Sequence, residues 1–154
     1  MMSKKIYIAG WDVFKPNSKE IGEQLKDICK KYGFEGLYPL DNVVNTSNEI
    51  YNGNIKLIKE SDYVIANMNA FRGYEPDSGT SFEVGYAIGM GKTVIAYLSE
   101  VRPMKEWVKD DIGCFIEDFG YPLNLMIAES CHIINGDAED AIKYIKEFEN
   151  KGKV

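Results

Sequence analysis

Residues 63–97 read YVIANMNAFRGYEPDSGTSFEVGYAIGMGKTVIAY, and this stretch decides the fold. It opens and closes with the apolar runs 63–68 and 93–97, which are typical of strands buried in a parallel sheet. Between them lie a long loop rich in Gly, Pro and Asp and a helical segment that ends at Gly91. The stretch therefore predicts a βαβ unit.

The same alternation continues on both sides of this unit. Apolar runs predict three more strands, at 5–9 (KIYIA), at 131–134 (CHII), and a short one within EGLYPL at 35–40 that Pro39 ends. Helical segments are predicted at 19–32, 48–60, 122–130 and 137–150. We therefore expect residues 1–154 to form a single α/β domain, a flavodoxin-like, doubly wound three-layer sandwich with a central parallel five-stranded sheet.

Composition and charge exclude several classes of function. The net charge of −6 argues against a nucleic-acid partner and against an anionic membrane surface. No apolar run is long enough to cross a membrane, and MMSKKIYIAG at 1–10 has no signal-peptide core. The chain has one His and three widely spaced Cys without a CxxC pair, so we expect no metal site and a cytoplasmic location.

The loops that follow the strands should form the binding site, because ligands of doubly wound folds bind at the carboxyl ends of the strands. Three loops should meet there, namely 10–18 after the first strand, 68–79 after the third, and the stretch that follows the fourth strand at 93–97. The turn at Gly10 has neither a GxGxxG nor a GxxxxGK[ST] pattern, which disfavours a dinucleotide or triphosphate ligand. Trp11 and Phe14 follow the first strand, and their rings either stack on a flat ligand or anchor the loop.

The segment 72–87 concentrates charged residues at a strand-to-helix turn. Its two carboxylates Asp77 and Glu83 suit glycosyl chemistry, in which one carboxylate attacks an anomeric carbon. A structural explanation is also open, because TSFE at 80–83 fits a capping box and Asp77 is a good N-cap. Spacing alone favours that structural explanation.

Several motifs together resemble the nucleoside 2-deoxyribosyltransferases over nearly the whole chain. The matching stretches are KIYIAGWDVF at 5–14, YPLDN at 38–42, NIKLIKESDYVIANMNAFRG at 54–73, EPDSGTSFEVGYA at 75–87 and GYPLNLM at 120–126. The resemblance implies a 2′-deoxynucleoside and a free nucleobase as ligands, and we expect no cofactor. It also implies transfer of the 2-deoxyribosyl group to another base with retained configuration.

The resemblance assigns roles to individual residues. It implies that Glu83 attacks C1′ and holds the sugar as a covalent ester, that Tyr7 orients Glu83, and that Asp77 contacts the substrate. It also implies that Asn124 and Met126 complete the site of a neighbouring subunit, with the Asn on the 5′-hydroxyl. We therefore expect a homo-oligomer with shared active sites.

This sequence departs from the family pattern at Asn54. Many relatives carry an aspartate at that position, and the aspartate protonates the leaving base. An amide is not a proton-donating acid. Asn54 is therefore predicted to hold the base by hydrogen bonds, which leaves protonation to Asp77, to water or to the base itself. The other predicted substrate-binding residues are Gly10, Trp11, Phe14, Arg72 and Gly79.

Two alternatives stay open. One is a hydrolase of the same fold, a 2′-deoxynucleoside 5′-monophosphate N-glycosidase; its relatives have a phosphate-binding Ser at the position of Asn124, so the Asn favours an uncharged 5′-hydroxyl. The other is a non-catalytic nucleoside-binding module, which would keep the pocket but lose Glu83 or Tyr7.

Overall fold

The computed structural model describes residues 2–41, 45–109 and 112–152, and its centre is a parallel sheet. The strands are β1 (Lys5–Ala9), β2 (Glu35–Leu37), β3 (Tyr63–Asn67), β4 (Thr93–Leu98) and β5 (His132–Asn135). Every pairing is parallel and the strand order is β2-β1-β3-β4-β5. This order confirms the predicted five-stranded, flavodoxin-like sheet.

The described residues form six α-helices. They are α1 (Ser18–Lys31), α2 (Ser47–Glu60), α3 (Ser78–Gly89), α4 (Met104–Trp107), α5 (Leu125–Ala128) and α6 (Ala138–Lys151). The longer helices begin and end within one or two residues of their predicted limits. The sequence pattern did not predict α4. The motif at 38–42 extends to Asn42, which lies outside the described residues.

Helices cover both faces of the sheet, and side-chain alternation along the strands decides which residues face which layer. From β1, Ile6 and Ile8 are buried in the cluster that includes α1 and α6. The next residue in each case points the other way, so Tyr7 and Ala9 join the cluster that includes α2 and α3. Tyr7 is thereby completely buried in the layer that contains α3.

No helix in the described part of the chain is both long enough and apolar enough to cross a membrane.

Candidate active site

A cavity of about 620 Å³ opens at the carboxyl end of β1, between that edge of the sheet and the helices α2 and α3. A cavity of this size holds a small organic ligand. Its walls are mostly apolar, and polar groups are few. The lining residues are Gly10, Val13, Phe14, Lys19, Pro39, Leu40, Ile50, Tyr51, Asn54, Ile55, Ile58, Asp77, Gly79, Phe82 and Glu83.

Glu83 in the cavity wall forms a hydrogen-bonded pair with the buried Tyr7. Tyr7 lies in β1 and Glu83 in the second turn of α3, and the Tyr7 hydroxyl donates to Oε2 of Glu83. Burial, together with the nearby Glu83 carboxylate, raises the pKa of Tyr7 well above its ordinary value. The phenol therefore keeps its proton and holds one carboxylate oxygen in a fixed direction.

The surroundings of Glu83 shift its pKa toward neutral pH. Together its surroundings raise the pKa of Glu83 from 4.5 to about 7, and burial is the largest cause. The hydrogen bond from Tyr7 acts in the opposite direction, and the negative charge of Asp77 contributes to the rise. A carboxylate in a mostly apolar cavity is poorly solvated, and poor solvation favours its protonated form.

Asp77 is the N-cap of α3. Its Oδ2 accepts from the backbone N–H and from the hydroxyl of Thr80, both at 2.8 Å. The capping-box explanation of 80–83 is therefore wrong, because the helix begins at Ser78 and Glu83 lies beyond its first turn. Asp77 still lines the cavity, so its cap and its place in the cavity coexist.

Two glycines bring the backbone to the cavity wall. A Cβ added at Gly10 would lie 2.8 Å from Cβ of Asn67 and 3.0 Å from Oδ2 of Asp12. Gly10 therefore lets the loop after β1 pass close to the end of β3. Gly79 lies in the first turn of α3, where a Cβ would lie 3.2 Å from Oδ2 of Asp77.

Asn54 reaches the cavity from α2 and has an unused acceptor. Its Oδ1 is buried and has no hydrogen-bond partner among the described residues. A buried carbonyl oxygen without a partner is costly, by about 1–3 kcal/mol. A donor on a bound ligand would satisfy it.

The two aromatic residues after the first strand, Trp11 and Phe14, have different surroundings. Phe14 lines the cavity and is about half exposed, whereas Trp11 does not line it. Trp11 instead stacks on Phe71 with ring centroids 5.4 Å apart, and Nζ of Lys15 lies 4.7 Å from the centroid of the Trp11 ring. Its contacts are those of a loop anchor.

Arg72 belongs to the same stack and is also absent from the residues that line the cavity. Its Cζ lies 4.6 Å from the ring centroid of Phe71 and 5.4 Å from that of Phe14. Its φ of 53° is in the left-handed region, which a non-glycine residue seldom adopts. Arg72 thus fastens the loop after β3 onto the loop after β1.

Asn124 and Met126 also lie outside the residues that line the cavity of their own chain. Asn124 precedes α5, where its Nδ2 donates to Glu117 and its Oδ1 accepts from the Met126 backbone N–H at 2.9 Å. The side chain of Met126 points outward, and the residue is 72% exposed.

Sequence reasoning missed several cavity residues. Ile55 and Ile58 were assigned to the helical pattern of α2 alone, and Tyr51 and Phe82 were not singled out. Lys19, one residue past the predicted loop 10–18, also lines the cavity. Its position after that loop was the available signal. Across the described ranges, no three His, Cys, Asp or Glu side chains come together as metal ligands would.

The fold and the hydrogen-bonded pair define a class of protein, a flavodoxin-like α/β protein whose cavity wall contains a half-buried carboxylate held by a buried tyrosine. Within that class, residues 6–126 match the family model described as nucleoside 2-deoxyribosyltransferase. The chain therefore belongs to the nucleoside 2-deoxyribosyltransferase family.

Known proteins support this assignment. A 2-desoxiribosyltransferase from Leishmania mexicana has a similar structure, with a TM-score of 0.85 and 36% sequence identity over 94% of this chain and 97% of that one. A CMP N-glycosidase of Clostridium botulinum shares the fold, with a TM-score of 0.55 and 22% identity, over 94% of this chain and 99% of that one.

An uncharacterized protein of Schizosaccharomyces pombe is 32% identical over 114 residues, which are 68% of this chain and 54% of that protein. The chain thus spans about half the length of this curated relative.

Proposed function

We propose that this protein is a nucleoside 2-deoxyribosyltransferase that moves the sugar of a 2′-deoxynucleoside to another nucleobase. The observation that supports this most strongly is the contact between the Tyr7 hydroxyl and the Glu83 carboxylate in the cavity wall. A non-catalytic binding module has no need for a half-buried carboxylate directed by a buried phenol. The Leishmania protein, by its name, is a transferase of this kind.

The reaction has two displacements at C1′. In the first, the free oxygen of Glu83 attacks C1′ while the bond from C1′ to the base nitrogen breaks and its electron pair leaves with the base. In the second, the nitrogen of an incoming base attacks C1′ and the ester oxygen leaves with its electron pair. Two inversions give retention, and each step has a lower barrier than a single exchange.

The apolar walls of the cavity fit this chemistry. Ile50, Tyr51 and Phe82 offer flat and aliphatic surface to a base, while the carboxylates of Asp77 and Glu83 lie at the sugar end. Exclusion of water favours a transferase, because the sugar ester must wait for a base without being hydrolysed.

A second copy of the chain is part of this proposal. The segment after β4 exposes large apolar side chains that a monomer leaves in water, namely Ile112, Phe115, Phe119 and Met126. Apolar clusters of this kind commonly mark protein interfaces. We infer that this segment packs on a neighbour, where Asn124 and Met126 close the mouth of that subunit's cavity.

Incubation with 2′-deoxyinosine, with and without free adenine, tests the proposed function directly. The transferase forms 2′-deoxyadenosine and hypoxanthine, and forms little free 2-deoxyribose. Free 2-deoxyribose as the main product, with or without adenine, would instead indicate a hydrolase. Cleavage confined to 2′-deoxynucleoside 5′-monophosphates would identify the substrate class of the N-glycosidase alternative. Bound but unchanged nucleoside would indicate a binding module.

A further inference from the structure

The departing base needs a partner for its charge. When the bond from C1′ to nitrogen breaks, the electron pair goes to the base, which becomes an anion unless a proton or a positive charge meets it. Asn54 supplies neither, because it is an amide. Asp77 is engaged as an acceptor, since its Oδ2 takes two hydrogen bonds from Thr80.

Lys19 is the one cationic side chain among the described residues that line the cavity. It lies in the first turn of α1 and is exposed to solvent where it lines the cavity. Tyr51 also lines the cavity and has a hydroxyl donor, but it has no positive charge. Of the two, only the ammonium neutralises an anion outright.

The ammonium of Lys19 has no ion pair with a described carboxylate, which distinguishes it from its neighbours. Lys15 pairs with Asp12 at 2.9 Å, and Lys26 pairs with Asp41 at 2.7 Å. In a chain with more acidic than basic residues, a lysine without such a pair at the rim of the cavity is available to a ligand. The flexible four-carbon stem lets its nitrogen follow a leaving group.

We propose that Lys19 is the group that receives the departing base, a role that rests on the transferase function proposed above. As the bond from C1′ breaks, the base anion pairs with the Lys19 ammonium. One proton then passes from Nζ to a base nitrogen, so that a neutral base leaves and a neutral amine remains. The incoming base restores the Lys19 ammonium, because it gives its N–H proton to Nζ as its nitrogen attacks C1′.

A substrate whose base leaves without negative charge tests this role. In 7-methyl-2′-deoxyguanosine the base is already cationic and departs as a neutral molecule, whereas hypoxanthine departs from 2′-deoxyinosine as an anion. Base release is measured in a single turnover, with protein in excess, for the wild type and for Lys19→Met. Lys30→Met is the matched control, because Lys30 is an exposed lysine near the other end of α1.

Lys19→Met should slow base release from 2′-deoxyinosine by about 100-fold or more and release from the methylated nucleoside by less than about twofold, since general acids contribute on the order of 10²–10⁴. Lys30→Met should leave both rates unchanged. Equal slowing of both substrates, or no slowing of either, would overturn the role of Lys19. A selective loss that appears with Tyr51→Phe and not with Lys19→Met would assign the role to Tyr51 instead.

Three further outcomes show whether the role of Lys19 or the proposed transferase function is at fault. If Lys19→Met raises only the KM for a 2′-deoxynucleoside 5′-monophosphate, then Lys19 binds a phosphate and the proposal is wrong. If the wild type releases no base from either nucleoside, the transferase function and the role of Lys19 both fail. If Glu83→Gln abolishes release while Lys19→Met has no effect, only the role of Lys19 fails.

Discussion

Replacement of Glu83 by Gln should make the protein inactive and, above pH 7, more stable. The amide keeps the size of the carboxyl group and still accepts the hydrogen bond from Tyr7. It removes the ionisation that burial opposes. If Glu83 is present for its chemistry, its replacement by Gln raises the free energy of unfolding. If it is present for stability, the same replacement lowers it.

The sign follows from the pKa of Glu83, which is raised from 4.5 to about 7, chiefly by burial. Below pH 4.5 the group is protonated in both the folded and the unfolded chain, and it costs nothing. As the pH rises to 7 the unfolded chain loses this proton first, so the free energy of unfolding of the wild type falls. The full difference corresponds to about 3 kcal/mol, and contact with water at the cavity reduces it to about 1–3 kcal/mol.

Urea unfolding at pH 4.5 and pH 8, at one fixed protein concentration, measures this difference. Glu83→Gln should match the wild type at the lower pH and exceed its free energy of unfolding by about 1–3 kcal/mol at the higher pH. Glu147→Gln is the matched control, because it removes an exposed carboxylate of α6, and its free energy of unfolding should stay within about 0.5 kcal/mol of the wild type. A Glu83→Gln variant that is no more stable than the wild type at pH 8 would refute this account of the buried carboxylate.

Other changes at the site have distinct expected outcomes. Tyr7→Phe should lower kcat by about 10- to 1,000-fold and move the acid limb of the pH–rate profile to higher pH, because it removes a fixed donor; an unshifted limb would contradict the pairing with Glu83. Asp77→Asn keeps a capping oxygen and removes a charge, so the same limb should move to lower pH, whereas Asp77→Ala should also cost about 0.5–2 kcal/mol of stability by thermal unfolding. A 2′-fluoro nucleoside should trap sugar on the peptide that contains 82–84, and mass analysis that places it elsewhere would exclude the Glu83 ester. Mixing inactive Asn124→Ala and Glu83→Ala subunits should restore part of the activity if sites are shared, and no rescue after proven subunit exchange would exclude sharing.

The sheet was predictable because each of its strands is a short apolar run bounded by glycine, proline or polar residues. The runs at 63–68 and 93–97 became β3 and β4 with boundaries shifted by one residue. The short strand within 35–40 was predicted to end at Pro39, and β2 ends at Leu37, just before the single 3₁₀ turn that Pro39 begins. Such strands can be located from sequence because the apolar run and the residues that end it are neighbours in the chain.

The contacts of the loops were less predictable, because they depend on residues far apart in sequence. Trp11 stacks on Phe71, which lies on the loop after β3, and nothing near Trp11 indicates that partner. The capping-box explanation of Glu83 failed for a related reason. The TSFE pattern is a local signal, but Asp77 caps the helix three residues earlier.

The pair of Tyr7 and Glu83 shows why a strand and a helix together make the site. The two residues are 76 positions apart, and each alone has an ordinary structural explanation, a core tyrosine in β1 and a glutamate on α3. The parallel order places β1 beside β3, and the crossover from β3 brings α3 over that part of the sheet. Since side chains alternate along β1, a one-residue shift of register would move Tyr7 to the opposite layer and leave Glu83 without its donor. The same packing that buries Tyr7 therefore fixes the direction of the carboxylate, so the role proposed for Glu83 depends on the register of the sheet.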